Sequence, residues 1–181
     1  PLSYVELVYN EKPNRTLNVL SKVSFIESWQ NIFNDMRSLS LSIAILEITE
    51  KVILEGDPHP KLFQVLKKVL RGYNNNTDNP NLLFWFYECA LLTHLGFRPI
   101  LEKQNLPGVM LPDPNKGPKS GAILESLLEE NIDQLPRDSI SKEDNKIISD
   151  YLWLLLCYHF DGLYNIKSVE IAKQIIKPKN Y

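Results

Sequence analysis

The stretch YHFDGLYNIKS, residues 158–168, gathers His159, Asp161, Lys167 and Ser168 around Gly162. An imidazole and a carboxylate two residues apart could share a metal ion or pass a proton, and lysine and serine could act as nucleophiles or hold a phosphate. Each chemistry asks for further groups. A helical metal site needs histidines at i and i+4, or a histidine beside cysteine, and His59, His94 and His159 satisfy neither. The loop NKGPKSG, residues 115–121, places a lysine and a serine after a turn, as a phosphate loop does. Asp113 and Pro118 stand where the backbone cradle requires glycine. There is no G-x-S-x-G, and Glu129, Glu130 and Asp133 read as a solvated helix face. The other reading of 158–168 is a corner. One helix ends at a histidine, Gly162 makes the turn, and Asn165 or Ser168 helps begin the next helix. No catalytic residue, metal site or cofactor is expected.

The elements around that stretch are mostly helical. LSYVELVY (2–9) and RTLNVLSKV (15–23) read as two strands with a turn at Glu11-Lys12-Pro13-Asn14. After Ser28 the pattern becomes helical and stays so. Leu41, Ile45, Ile48 and Val52 define a helix over about 39–54, ended by Gly56-Asp57-Pro58, where Asp57 or Pro58 can start the next. In that next helix Leu62, Val65, Leu66, Val69 and Leu70 point inward, and Lys61, Lys67, Lys68 and Arg71 are assigned to the outer face. Residues 81–95 and 147–160 are apolar nearly all round, which predicts two central buried helices. The first stops at Gly96 with Pro99 beyond, and Ser141 and Asp144 suit a start for the second. Between them runs an irregular segment over 102–121, then a helix over 121–134. A last helix over 166–176 buries Val169, Ala172 and Ile176. The fold class is therefore mainly α, a multi-helix domain preceded by a β-hairpin. An isolated hairpin is marginal in water, so residues 1–25 are expected to be the end of a β-domain whose earlier strands are absent, unless the hairpin packs on the helices.

The totals bound the class. With 181 residues, 44% apolar and 23% charged, the chain fits one globular domain, or one plus a fragment of another. No apolar run reaches the roughly 18 residues of a membrane span, and PLSYVELVYNEK lacks a signal peptide's layout. Cys89 and Cys157, without a C-x-x-C, suit a reducing cytoplasm as two buried thiols, so the sequons at Asn14 and Asn75 carry no meaning. A net charge of −2 hides segregation: Lys51, Lys61, Lys67, Lys68 and Arg71 face only Glu55 and Asp57 within 51–72, whereas 125–164 is strongly acidic.

At the two apolar helices the sequence resembles the RecO family of recombination mediators. In FYECALLTHLGFRP (86–99), Glu88, Leu91, Leu92, Leu95, Gly96, Phe97 and Pro99 fall on the family's helix end. Tyr158, His159, Gly162, Lys167 and Ser168 fall on its later Tyr/His/Gly motif with a following Lys-Ser. GDPHPKLFQVL (56–66) resembles its Pro-x-x-Leu-Phe helix, and residues 4–28 resemble the last strands of its N-terminal OB domain. The likeness covers essentially the whole chain through the order and spacing of individually loose motifs. It implies a truncated OB-like end over 1–25 and a helical domain over 26–181. It further implies a non-enzymatic, cytoplasmic protein of DNA repair that binds single-stranded DNA, anneals strands, binds RecR and the acidic tail of the single-stranded-DNA-binding protein, and so helps RecA load. Three departures stand out. Many members carry a four-cysteine zinc module where residues 100–121 hold no cysteine, so no zinc is expected. Phe86 and Ala90 flank Glu88 where many members carry basic residues. Most of the OB domain is missing, and with it much of the expected DNA surface.

Lys61, Lys67, Lys68 and Arg71 are the candidate DNA contacts. Arg98, Lys103, Lys167 and Lys173 are candidates to flank an apolar partner pocket at Phe97, with Leu95 or Val169 as further lining. Two other readings remain: a helical protein-interaction module without direct DNA binding, and an enzyme whose site is assembled from scattered polar residues in a deep pocket.

Overall fold

The structure is a computed structural model that describes residues 2–10, 18–75, 77–135 and 139–176, the side chains of 134 and 173–176 excepted. Two strands, β1 (Ser3–Asn10) and β2 (Val19–Ser28), form an antiparallel hairpin. Six α-helices follow among the described residues: α1 (Met36–Val52), α2 (Pro60–Asn74), α3 (Pro80–His94), α4 (Ser120–Leu128), α5 (Lys142–His159) and α6 (Lys167–Ile176). The fold is thus mainly α with an N-terminal hairpin.

Helix α3 is the centre. Trp85, Phe86, Tyr87, Cys89, Ala90, Leu91 and Leu92 are all buried, and α1, α2, α4 and α5 pack around them. Helix α5 buries Ile148, Tyr151, Leu152, Leu155 and Leu156 against this core, yet keeps a solvent side at Lys146 and Asp150. Helix α6 lies along α1, with Val169 and Ala172 in the core.

Several boundaries differ from the sequence reading for local reasons. The second strand runs over 19–28 rather than 15–23, and residues 11–17, including the expected turn, lie outside the described residues. Helix α2 begins at Pro60, not at Asp57 or Pro58. A proline disfavours α geometry in the residue before it, so His59 (φ −117°, ψ 69°) stays outside as the cap. Helix α4 stops at Leu128, where Glu130 takes a left-handed φ of 55°, and a separate 3-10 turn covers Ile132–Gln134. At the ends of α3 and α5, Gly96 (φ 90°) and Gly162 (φ 86°) supply the left-handed turns expected of them.

Register splits the hairpin into two unlike faces. The opposed pairs Val5–Phe25, Leu7–Val23 and Tyr9–Leu20 make one face apolar, while Glu6–Ser24 and Val8–Lys22 make the other mixed. Much of the apolar face is open to solvent, Phe25 at 75% exposure above all.

The irregular segment between α3 and α4 is held by named hydrogen bonds. Pro107 and Gly108 (φ 75°) turn the chain between Leu106 and Val109. Tyr151 donates to the Ile100 carbonyl at 2.7 Å, and the Asn115 amide donates to the Leu101 carbonyl at 2.6 Å. Ser120 donates to the Pro114 carbonyl (2.6 Å) and accepts from Gly117 N–H (3.1 Å). Asp144, buried in the first turn of α5, accepts from Lys119 N–H (2.8 Å) and from Ser141 Oγ (2.6 Å). The NKGPKSG loop is therefore folded onto a carboxylate of its own chain.

Replacing Asp144 with Ala strands those donors, and an unmade buried hydrogen bond costs about 1–3 kcal/mol. Asp144→Ala should lower the urea midpoint by a corresponding amount and speed proteolytic cleavage within 105–118. An unchanged midpoint and digestion pattern would show that Asp144 does not pin this segment.

Candidate nucleic-acid and partner interface

Helix α2 has two working stripes. Leu62, Val69, Leu70 and Tyr73 enter the core. Phe63, Lys67, Arg71 and Asn74, spaced at four, four and three residues, meet the hairpin and the 3-10 turn after it. Tyr4 packs edge-on against Phe63, with ring centroids 5.6 Å apart. The Lys67 ammonium lies 4.5 Å from the Tyr4 centroid and 5.4 Å from that of Phe63, a cation–π arrangement that leaves the residue buried. Arg71 grips Glu27 of β2 with Nε and Nη2, the shortest contact being 2.7 Å, and the Trp29 indole donates to the same carboxylate at 3.0 Å. Asn74 accepts from Asn31 N–H at 3.0 Å and in turn receives the Asn31 amide on its carbonyl at 3.3 Å.

The outer-face assignment for α2 is thereby corrected. Lys61 and Lys68, seven residues apart, share an exposed face, but Lys67 and Arg71 turn toward the hairpin. The hydrophobic spacing could not show this, because a second packing partner lay on the helix's polar side. Arg71's hydrogen bonds hold the Glu27 carboxyl below its ordinary range, against the opposing effect of burial, with Trp29 adding in the same direction.

The second candidate surface is the corner where α3 and α5 end. Phe97 stacks on His159 (4.1 Å between centroids, 21° between planes) and meets Phe160 edge-on at 5.4 Å. Phe97 keeps 37% of its surface exposed. Burial pulls the His159 pKa below 6.5. Arg98 donates to the Leu128 carbonyl at 3.0 Å, closing the C-terminal end of α4. His94 Nε2 and Glu130 Oε2 stand 3.4 Å apart without hydrogen-bond alignment. Lys103 and Lys167 are exposed. Leu95 is half-buried, whereas Val169 is core rather than pocket lining. The Lys173 and Ile176 side chains lie outside the described residues. The stretch 158–168 is the corner expected of it: α5 ends at His159, Gly162 turns, and α6 begins at Lys167.

The sequence did not reveal a small open groove of about 190 Å³ between the end of α1 and the start of α2, lined by Thr49, Ile53, His59, Leu62, Phe63, Leu66 and Tyr87. Its Thr49 and Tyr87 hydroxyls are 2.6 Å apart. Thr49 also donates to the Ile45 carbonyl, so Tyr87 is the donor of the pair. Burial raises the Tyr87 hydroxyl to about 12. Among the described residues no three His, Cys, Asp or Glu side chains come together to hold a metal ion.

The class these features define is a helical domain with an attached hairpin. The description Recombination protein O C terminal fits residues 34–138, and the chain belongs to the RecO family. It is 26% identical to the DNA repair protein RecO of Prosthecochloris aestuarii over 209 residues, covering 97% of this chain and 79% of that protein. Similarity to the proteins of the same name from Salinibacter ruber (25% over 109 residues) and Syntrophobacter fumaroxidans (33% over 110 residues) covers 60% of this chain and 42% of each of theirs. The chain thus spans less than half the length of these last two relatives.

Two pH measurements test the geometry. A carboxyl held below its unfolded value contributes stability above that value and loses it as pH falls through the folded one. The Trp29 indole NMR resonance should therefore stay constant at neutral pH and shift only below 4.5, the ordinary value for Glu27. A constant resonance through that range would mean that Glu27 is not its partner. His159 has the opposite charge type but the same dependence, since its depressed pKa makes protonation unfavourable to the stacked corner as pH falls below 6.5. In Phe97→Ala the ring gains water, and its NMR titration midpoint should rise toward 6.5. A midpoint that stays where it is in the parent would place the burial elsewhere.

Proposed function

We propose that this chain is the helical part, with one hairpin of the β-domain, of a non-enzymatic recombination mediator that acts on single-stranded DNA in the cytoplasm. Membership of the RecO family over residues 34–138 carries the reading. The relatives' name, DNA repair protein RecO, supports repair as the setting. In this reading the protein binds single-stranded DNA and the acidic tail of the single-stranded-DNA-binding protein, anneals strands, and with RecR assists RecA loading. Absence of a membrane-spanning helix among the described residues is compatible with that place of work.

Residues 1–25 are proposed as the end of an OB-like β-domain and residues 26–181 as the helical domain. The apolar face of Val5, Leu7, Tyr9, Leu20, Val23 and Phe25, exposed at all of these but Val5, supports this, because such a face suits further strands packed across it. On the helical domain, Lys61 and Lys68 are the open cations for phosphate contact, with Lys67 and Arg71 beside them at the hairpin. Phe97, Arg98, Lys103, Lys167 and Lys173 remain the proposed partner surface, on which an acidic tail ending in an aromatic side chain would lie against Phe97. The second reading, a helical interaction module without direct DNA binding, draws on the internal engagement of Lys67 and Arg71.

Titrating labelled single-stranded DNA and an acidic peptide ending in phenylalanine, each at two salt concentrations, separates these readings. Under the mediator reading both bind. Lys61→Ala/Lys68→Ala should weaken DNA regardless of sequence and make the logarithmic salt slope shallower by about 0.7 for each lost phosphate contact on a single strand. Peptide binding without DNA binding would select the interaction module. Binding of neither would place both activities outside this part of the protein.

A further inference from the structure

The junction between α2 and the hairpin already holds an anion, and that anion belongs to the chain. Arg71 Nε and Nη2 and the Trp29 indole N–H, from two different elements, converge on the Glu27 carboxylate at distances from 2.7 to 3.1 Å. The Lys67 ammonium is near enough to act on that carboxylate through space. A guanidinium fork with a third N–H donor and a flanking ammonium fits a phosphate as well as it fits a carboxylate. Aromatic rings stand alongside: the Lys67 ammonium lies over the rings of Tyr4 and Phe63, and Phe63 is 44% exposed. Cations interleaved with open aromatic faces suit the backbone and bases of a single-stranded nucleic acid. The internal pair is also easy to open. Its side chains are 47% and 34% exposed, and ion pairs in such positions are screened by salt and hold little net stability.

We propose that Glu27 is an internal stand-in for a phosphate, occupying the Arg71–Trp29 cradle and holding down the affinity for single-stranded DNA until a backbone phosphate displaces it. When displaced, the Glu27 side chain turns to water and Arg71 transfers its two donors to the phosphate oxygens. This gate rests on the reading of α2 as a DNA-contacting helix and adds an autoinhibitory contact to it. It also gives the open lysines Lys61 and Lys68 a distinct part, that of first attraction, with Arg71 engaging afterwards.

Fluorescence anisotropy with a labelled oligothymidine, run across a salt series on the same chain, tests the gate. Glu27→Gln removes the competing charge while keeping the side chain's size. It should bind on the order of ten-fold more tightly at low salt, with a logarithmic salt slope steeper by about 0.7 for the one added contact. Arg71→Gln alone should change little, because Arg71 is already occupied. Added to Glu27→Gln, it should return binding to the parent value. Glu6→Gln, on the mixed face of the same hairpin, removes an equal charge away from the cradle and should tighten binding much less. Glu27→Asp shortens the reach to Arg71 and should give a smaller gain in the same direction. It keeps the test open if the glutamine variant loosens the hairpin, which the Trp29 indole resonance would reveal. Equal tightening by Glu6→Gln and Glu27→Gln would overturn the gate in favour of plain net charge. Binding by the parent chain with no gain in either Glu27 variant would overturn the gate and leave DNA contact by α2 standing. Binding by none of the chains at any salt would remove both.

Discussion

A helix without a polar face cannot lie at a surface, and the rest of this fold is a consequence of enclosing α3. Four helices pack on it, so nearly every side chain from Leu82 to Leu92 is withdrawn from water. Truncating one of its large side chains would open a cavity, at a cost of about 3–5 kcal/mol for a tryptophan such as Trp85. Glu88 sits within this apolar helix, buried, and its charge adds to the effect of burial in raising the Tyr73 and Cys89 pKa values. Both ends of α3 are fixed as well. Tyr73 donates to the Pro80 carbonyl at its start, and Gly96, Phe97 and Arg98 tie its finish to the ends of α5 and α4. The proposed partner corner is thus built on the end of the buried central helix.

The hairpin is held differently. It meets the helices through one stripe of α2, by a ring pair, a cation over two rings and a shared carboxylate, with Leu2 and Trp29 as buried apolar anchors. Most of those contacts are polar and partly wet, so they orient the hairpin more than they stabilise it. Its apolar face looks away from α2. The two faces of one hairpin therefore differ, one turned to the helices and one largely open to solvent.

Periodicity made the helices legible. The apolar repeats of α1 and α2, the all-round apolar runs of α3 and α5, and the glycines after α3 and α5 all left direct marks in the sequence. Strand register left a weaker one, since Val and Leu occur in both strands and a shift of several residues still alternates acceptably. The candidate site was half legible. Lys61, Lys67, Lys68 and Arg71 were visible as a cluster, but their division between water and hairpin depends on Tyr4 and Glu27, more than forty residues earlier. The Asp144 network was hidden for the same reason. A carboxylate in a first helical turn looks like ordinary capping until residue 119 is found beside it. Long-range polar contacts have no period, and a one-dimensional pattern does not carry them.

Arginine and lysine also divide the electrostatic work. Arg71 and Arg98 are each fastened to a fixed acceptor, a carboxylate and a helix-end carbonyl, where a planar multi-donor group is worth more than a point charge. Lys61, Lys68, Lys103 and Lys167 stand in solvent, and a long stem with a rotating ammonium can follow a ligand that has no fixed geometry. Lys67 is the exception, its stem buried and its ammonium held over two rings. A ligand that meets only the lysines is held loosely, with little sequence preference and strong dependence on salt. A ligand able to open the Arg71–Glu27 pair gains a geometrically defined contact near the exposed Phe63 ring. Under the proposed reading, gripping rather than merely attracting a single strand therefore depends on whether that one surface ion pair exchanges.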